Sequence, residues 1–238
     1  MAAMDLSELW DFDDPAGSEL RLRAAADTAE GSDRLVLLTQ VARALGLQER
    51  YDEGHAVLDQ LAVDDAEVVT RTALERGRLL RSSGDPEAAE PHFEAAAASA
   101  RAAGLEALHV DALHMVAIVA PPEEQHEINA RALAVARASS DRRAQDWDAS
   151  LLNNIGMTYA DADDFEQALA TFQEALSACE RIGDPSRIRI AKWMVGWSLR
   201  NLGRRDEALQ IQQALKEELD SIGDADSYVD EELALLAN

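Results

Sequence analysis

The chain has 238 residues, 46 acidic against 22 basic side chains, and a formal net charge of −24. That length fits one or two globular domains or one repeat array. The acidity argues against DNA, RNA or an anionic membrane as the main partner, since phosphate binding needs clustered Lys and Arg; its plain reading is a solubilising surface. Hydrophobic residues make up 47% and aromatics only 5%, which suits closely approaching helices better than aromatic layers. Ala, Leu, Glu and Arg dominate, all strong helix formers, and no stretch alternates with period two. The fold class read from this is all-α. The single cysteine, Cys179, excludes an internal disulfide or a cysteine metal cluster and reads as a small core residue. No apolar run reaches bilayer length, and Met1–Asp5 carries no basic leader, so a cytoplasmic location is expected.

Along the chain, residues 1–14 form an acidic segment dotted with Leu6, Leu9, Trp10 and Phe12. Asp14-Pro15 then opens a helix, expected to run to about Glu30 and to stop at Gly31. From near Leu35 a pattern sets in. A first helix through Val41 and Ala42 should break at Gly46, and a second starts near Tyr51. A second copy has Leu74, Gly77 and Leu80, the turn Gly84-Asp85-Pro86, then Ala89, Phe93 and Ala96. The third copy runs through Leu113, Val116 and Ala117 to Pro121-Pro122, then a helix from about Glu123; a register four residues away fits it equally. The fourth, Leu152 to Ala175, carries Gly156, Tyr159, Ala168 and Phe172. The fifth carries Val195, Gly196 and Leu199, then Ala208, Ile211 and Leu215. Residues Tyr228 to Leu236 suggest a closing helix.

The small residue of each first helix falls at 42, 77, 117, 156 and 196, steps of 35, 40, 39 and 40. A period of this size marks stacked helical hairpins. Small residues let the paired helices cross closely while larger ones opposite fill the groove. The expected domain plan is an acidic, flexible segment 1–14 followed by one helical domain 15–238, with repeats near 35–68, 70–103, 110–143, 149–182 and 189–222 and a cap at 225–238.

These residues resemble the tetratricopeptide repeat. Leu152-Asn153-Asn154-Ile155-Gly156, Tyr159, Ala168, Phe172 and Ala175 are similar to the family pattern, and Gly196, Leu202-Gly203-Arg204 and Asp206-Glu207-Ala208-Leu209 repeat it. The likeness covers residues 35 to about 222. It departs in period, near 40 rather than 34, and the aromatic expected early in each first helix is replaced by Leu38, Ala73, Leu113, Leu152 and Lys192.

The resemblance implies a right-handed superhelical solenoid of antiparallel helix pairs. It also implies a non-enzymatic protein that binds a protein or peptide partner on a concave face lined by the first helices. Carried onto this chain, that face includes Arg43, Arg71, Arg78, Arg81, His114, Asn153, Trp193, Trp197 and Arg200. The full set along these helices has five Arg against one Asp, Asp111, and two of the four Trp. An acidic segment with apolar anchors therefore suits it.

Each candidate has a plainer reading. Trp193 and Trp197, one turn apart, can pack on the closing helix instead of a ligand. Arg71, Arg78 and Arg81 can pair with nearby carboxylates. Asp111 and His114 share a helix face and suggest a remote hydrolytic or metal-dependent alternative. No recognised ligand spacing supports it, so no metal and no cofactor are expected. A ligand-sensing regulator taking a short peptide or small molecule is the second reading of the array. The segment Leu6–Asp14 is either a frayed tail or capping turn over the first helices, or an acidic ligand for the groove of its own or a neighbouring subunit. Self-association through solenoid ends or the tail is a further expectation.

Overall fold

A computed structural model describes residues 6–61 and 64–237. Met1–Asp5, the stretch without a basic leader, and residues 62, 63 and 238 lie outside the described residues. Among those described, the regular structure is helical throughout. The chain divides into two compact units, Met1–Glu124 and Gln125–Asn238, each taken by itself below.

The first unit begins with a 3-10 turn, Ser7–Leu9, followed by α1 (Pro15–Thr28), α2 (Gly31–Leu47), α3 (Tyr51–Leu58), α4 (Ala66–Ser82), α5 (Pro86–Ala103) and α6 (Glu106–Val119). Each helix packs on the next, and α2 also lies against α4. The second unit holds most of α7 (Pro122–Ala138), then α8 (Arg142–Gln145), α9 (Asp148–Asp161), α10 (Phe165–Ile182), α11 (Pro185–Asn201), α12 (Arg205–Ile222) and α13 (Ser227–Ala237). From α9 to α13 each helix again packs on its successor.

One tripeptide makes two of the turns. Gly84 and Gly183 sit in the left-handed region, at φ 96° and 83°, where a side chain would be strained. The next residue caps the new helix: Asp85 Oδ1 accepts from Ala88 N at 3.0 Å, and Asp184 Oδ1 from Ser186 N at 2.9 Å. Pro86 and Pro185 then take the first helical position, where no amide hydrogen is needed.

Several boundaries differ from the sequence reading. Gly31 opens α2 instead of ending α1, which stops at Thr28. Gly46 does not break α2; the helix runs to Leu47, and the left-handed turn falls on Glu49. First helices α6 and α11 start earlier than the apolar pattern suggests, at Glu106 and Pro185; the opening turn of α11, Pro185-Ser186-Arg187, is exposed and carries no apolar anchor. The short α8 has no apolar period to betray it.

The close helix crossings have a direct cause. A Cβ built on Gly77 would lie 2.5 Å from Cε1 of Phe93, and one on Gly156 2.5 Å from Cε1 of Phe172. Both phenylalanines are fully buried. Each ring is thus seated where a missing side chain leaves room, sixteen residues after the glycine. In the fifth copy that place belongs to Gln212, whose amide nitrogen would be 2.7 Å from a Cβ on Gly196. Gln212 is fully buried, and among the described residues neither end of its amide has a hydrogen-bond partner. An unpaired buried amide costs about 1–3 kcal/mol. Gln212→Met, similar in volume and without polar atoms, is therefore expected to raise the melting temperature by roughly 2–4 °C, as read by calorimetry. A lower melting temperature would show that the amide has a role in packing.

Cys179 is buried, and that burial holds its thiol above the usual range, as expected of an unreactive core residue.

Candidate functional site

In the first unit, α2, α4 and α6 bring together a polar cluster. Arg78 on α4 donates to Glu75 Oε1 and to Asp111 Oδ1 on α6, both at 2.5 Å. Glu75 and Asp111 are buried, so a guanidinium between two carboxylates ties α4 to α6. These buried, opposed charges raise the Arg78 pKa despite its desolvation. Glu75 lies one turn before Arg78; the sequence reading passed over it, although the i, i+3 pairing is visible there.

Arg43 on α2 lies within the field of this cluster. Its pKa is lowered, first by the charge of Arg78, then by burial, with Arg71 adding to the effect against Glu75 and Asp111. Among the described residues it forms no ion pair. Arg71 is held by Glu67 at 2.9 Å, one turn back on α4. Arg81 is exposed and, among the described residues, makes no ion pair either. The face thus carries more guanidinium than its own carboxylates neutralise.

His114 stands beside the same groups. Burial lowers its pKa below the ordinary 6.5, with Arg78 and Arg81 assisting and Asp111 opposing. The unfolded chain therefore binds a proton at this histidine at a pH where the folded chain does not. Stability from this group is complete above about pH 6.5 and falls as the pH drops below that value. Urea denaturation at pH 7.5 and 5.5 should show a smaller loss in His114→Gln than in the unsubstituted chain. An equal loss in both would contradict the assignment.

The segment 6–14 does not hang free. Leu6, Leu9 and Trp10 pack on the apolar cluster of Leu22, Leu37, Val41 and Leu45 from α1 and α2. Ser18 Oγ donates to the Asp11 carbonyl at 2.9 Å and accepts from the Asp11 amide at 2.8 Å. Arg21 Nε donates to the Leu9 carbonyl at 3.1 Å. Trp10 Nε1 donates to Gln40 Oε1 on α2 at 3.3 Å. The rings of Trp10 and Phe12 stack at 5.0 Å, nearly parallel, with the Arg43 guanidinium carbon 5.8 Å and 5.6 Å from their centres. Such cation–ring contacts contribute about 0.5–2 kcal/mol.

In the second unit, Trp193 and Trp197 stack at 6.0 Å. Trp197 also meets Phe165 and Phe172 edge-on at 5.3 and 6.5 Å. Trp193 packs with Leu215, Leu219 and Val229 and meets Tyr228 of α13 at 5.9 Å. Arg200 makes two hydrogen bonds to Glu232 of α13, at 2.7 and 2.9 Å. The structure thus places these three residues against the closing helix or the core beneath it. Asn153 is half-buried on α9. Arg43, Arg71, Arg78, Arg81 and His114 belong to the first unit and Asn153, Trp193, Trp197 and Arg200 to the second. Among the described residues, no group of three or more His, Cys, Asp or Glu is arranged to hold a metal ion. No helix among them is long and apolar enough to cross a membrane.

Residues 147–216 match the family model described as tetratricopeptide repeat. Solved structures of repeat proteins extend the likeness over nearly the whole chain. Residues 147–216 thus carry tetratricopeptide repeats, and the chain as a whole shares the fold of such repeat proteins. Among similar structures is a signal transduction ATPase with numerous domains from Pyrococcus horikoshii, with a tetratricopeptide repeat sensor. Its TM-score is 0.74 at 13% identity, covering 93% of this chain and 36% of that one. The chain therefore spans about a third of that protein. BtubC from P. vanneervenii matches at TM-score 0.68 and 15% identity, with 94% of both chains covered. The quorum sensor NprR from B. thuringiensis matches at 0.66 and 14%, covering 95% of this chain and 64% of that one. NprR is also known in complex with its cognate peptide, NprX. No curated protein matches in sequence. At these identities the neighbours show the fold alone.

Proposed function

We propose that this repeat protein is a cytoplasmic, non-catalytic scaffold that takes an acidic peptide segment with aromatic anchors on the arginine-bearing face of α2, α4 and α6. The observation that carries this reading is Arg43, crowded by Arg78 and Arg71 and without an ion pair among the described residues, in a chain of net charge −24. A carboxylate placed beside it relieves repulsion among the guanidinium groups and gains charge-assisted hydrogen bonds of about 1.5–3 kcal/mol each. Arg81 extends the cationic face. Asp111 is committed to Arg78, which leaves it poorly suited to serve as a general base and favours binding over catalysis. The peptide complex of NprR is consistent with a peptide ligand for this fold.

The test uses fluorescein-labelled peptides rich in Asp and Glu and bearing one or two Trp or Phe, measured by anisotropy. Binding should weaken at least tenfold in Arg43→Glu, Arg81→Glu, and should fall as salt rises from about 0.05 to 0.5 M. Unchanged affinity in the double variant would remove this face from consideration. The sensing alternative draws support from the quorum sensor and the repeat sensor among the neighbours. It differs in requiring the bound peptide to change the packing of the helices, which solution scattering with and without peptide would detect.

A further inference from the structure

The segment Leu6–Asp14 has the chemistry of the ligand just described. It presents Trp10 and Phe12 among Glu8, Asp11, Asp13 and Asp14, and its two rings stand over Arg43. Its fit is nevertheless divided. Leu6, Leu9 and Trp10 are anchored on the α1–α2 cluster, as a structural cap would be. Beyond Trp10 the contact loosens: Phe12 remains 60% exposed, and among the described residues none of the three carboxylates there forms an ion pair. The Asp11 carboxylate accepts from the Asp13 amide, and that of Asp14 caps α1 by accepting from the Gly17 amide. A segment that served solely as a cap would have no need of two stacked aromatic rings on a guanidinium.

We propose that residues 10–14 are an internal pseudo-ligand. Resting on the reading that this face binds acidic-aromatic segments, they hold the Arg43 subsite and must lift away before an external segment of the same chemistry can fill it. Anchoring by Leu6 and Leu9 keeps the rings at high local concentration, so weak contacts suffice to occupy the subsite. The apparent affinity for an outside peptide is then reduced by the fraction of molecules in which the subsite is open.

The experiment uses the full chain and a fluorescein-labelled peptide of residues 4–14. Phe12→Ala removes an exposed ring and leaves the apolar anchors untouched; Trp10→Ala, Phe12→Ala clears the subsite, with thermal denaturation to confirm folding. The peptide should bind the double variant at least tenfold more tightly than the unsubstituted chain, with Phe12→Ala between them. Adding Arg43→Glu to the double variant should abolish the gain. Equal affinity for the unsubstituted chain and both variants, or a gain that survives Arg43→Glu, would overturn the proposal.

A second probe, an unrelated acidic-aromatic peptide, separates the two readings. If it binds all three proteins equally and is lost with Arg43→Glu, Arg81→Glu, the face stands and the pseudo-ligand falls. If only the residue 4–14 peptide binds, the internal contact stands and the broader ligand class falls.

Discussion

Phe172→Ala is expected to destabilise the second unit by about 3–5 kcal/mol. The ring is fully buried among Ala160, Ala168, Leu169, Val195, Leu199 and Ala208, and Trp197 leans on its edge. The expectation becomes specific through Gly156. In the unsubstituted chain Gly156→Ala forces a methyl group to 2.5 Å from the ring, an overpacking loss of about 1–3 kcal/mol. A helix-propensity gain of about 1 kcal/mol offsets part of that loss. In the Phe172→Ala background the clash is gone, the propensity gain remains, and the methyl group fills part of the cavity. Gly156→Ala should there be stabilising. A double-mutant cycle by urea denaturation should give a coupling of about 1–3 kcal/mol. Simple additivity would mean that the glycine and the ring are not matched. Should Phe172→Ala fail to fold, Phe172→Leu carries the same cycle with smaller terms.

Arg78→Met is expected to destabilise the first unit by about 3–5 kcal/mol, because it strands two buried carboxylates. The loss comes from Glu75 and Asp111 and not from the missing arginine itself. Glu75→Gln with Asp111→Asn, added to Arg78→Met, should therefore recover most of it. Denaturation of the single and triple variants separates the possibilities. A triple variant as unstable as the single one would indicate that Arg78 contributes mainly through packing of its stem.

The helix pairs were legible because their causes are local and periodic. Gly77 and Gly156 followed by Phe93 and Phe172, and Gly-Asp-Pro at two turns, are composition placed at fixed intervals. The expectation that small residues permit close crossing is met at both glycines. Helix starts such as Pro185 were not legible, since the exposed first turn Pro185-Ser186-Arg187 carries no apolar period.

The arginines of the face could be picked out by their place on first helices, but not their pairing. Nothing in the spacing of residues 78 and 111 tells that one guanidinium holds Asp111 as well as its neighbour Glu75. Nor does the sequence tell that Glu232, far along the chain, claims Arg200. Such contacts depend on which helices become neighbours. The tail was ambiguous for the same reason: its acidic-aromatic composition suited either a cap or a ligand, and it serves in part as a cap while bringing its rings to Arg43.

The Gly-Asp-Pro turn has one further consequence. At 84–86 it joins two helices within a hairpin, and at 183–185 it joins one hairpin to the next, with a left-handed glycine and a capping aspartate in both. The joint is thus indifferent to which side of the repeat it serves. Nothing lies within reach of a side-chain carbon at either glycine. A single helix, and not only a whole hairpin, can therefore be the unit by which such a chain is lengthened or shortened during evolution.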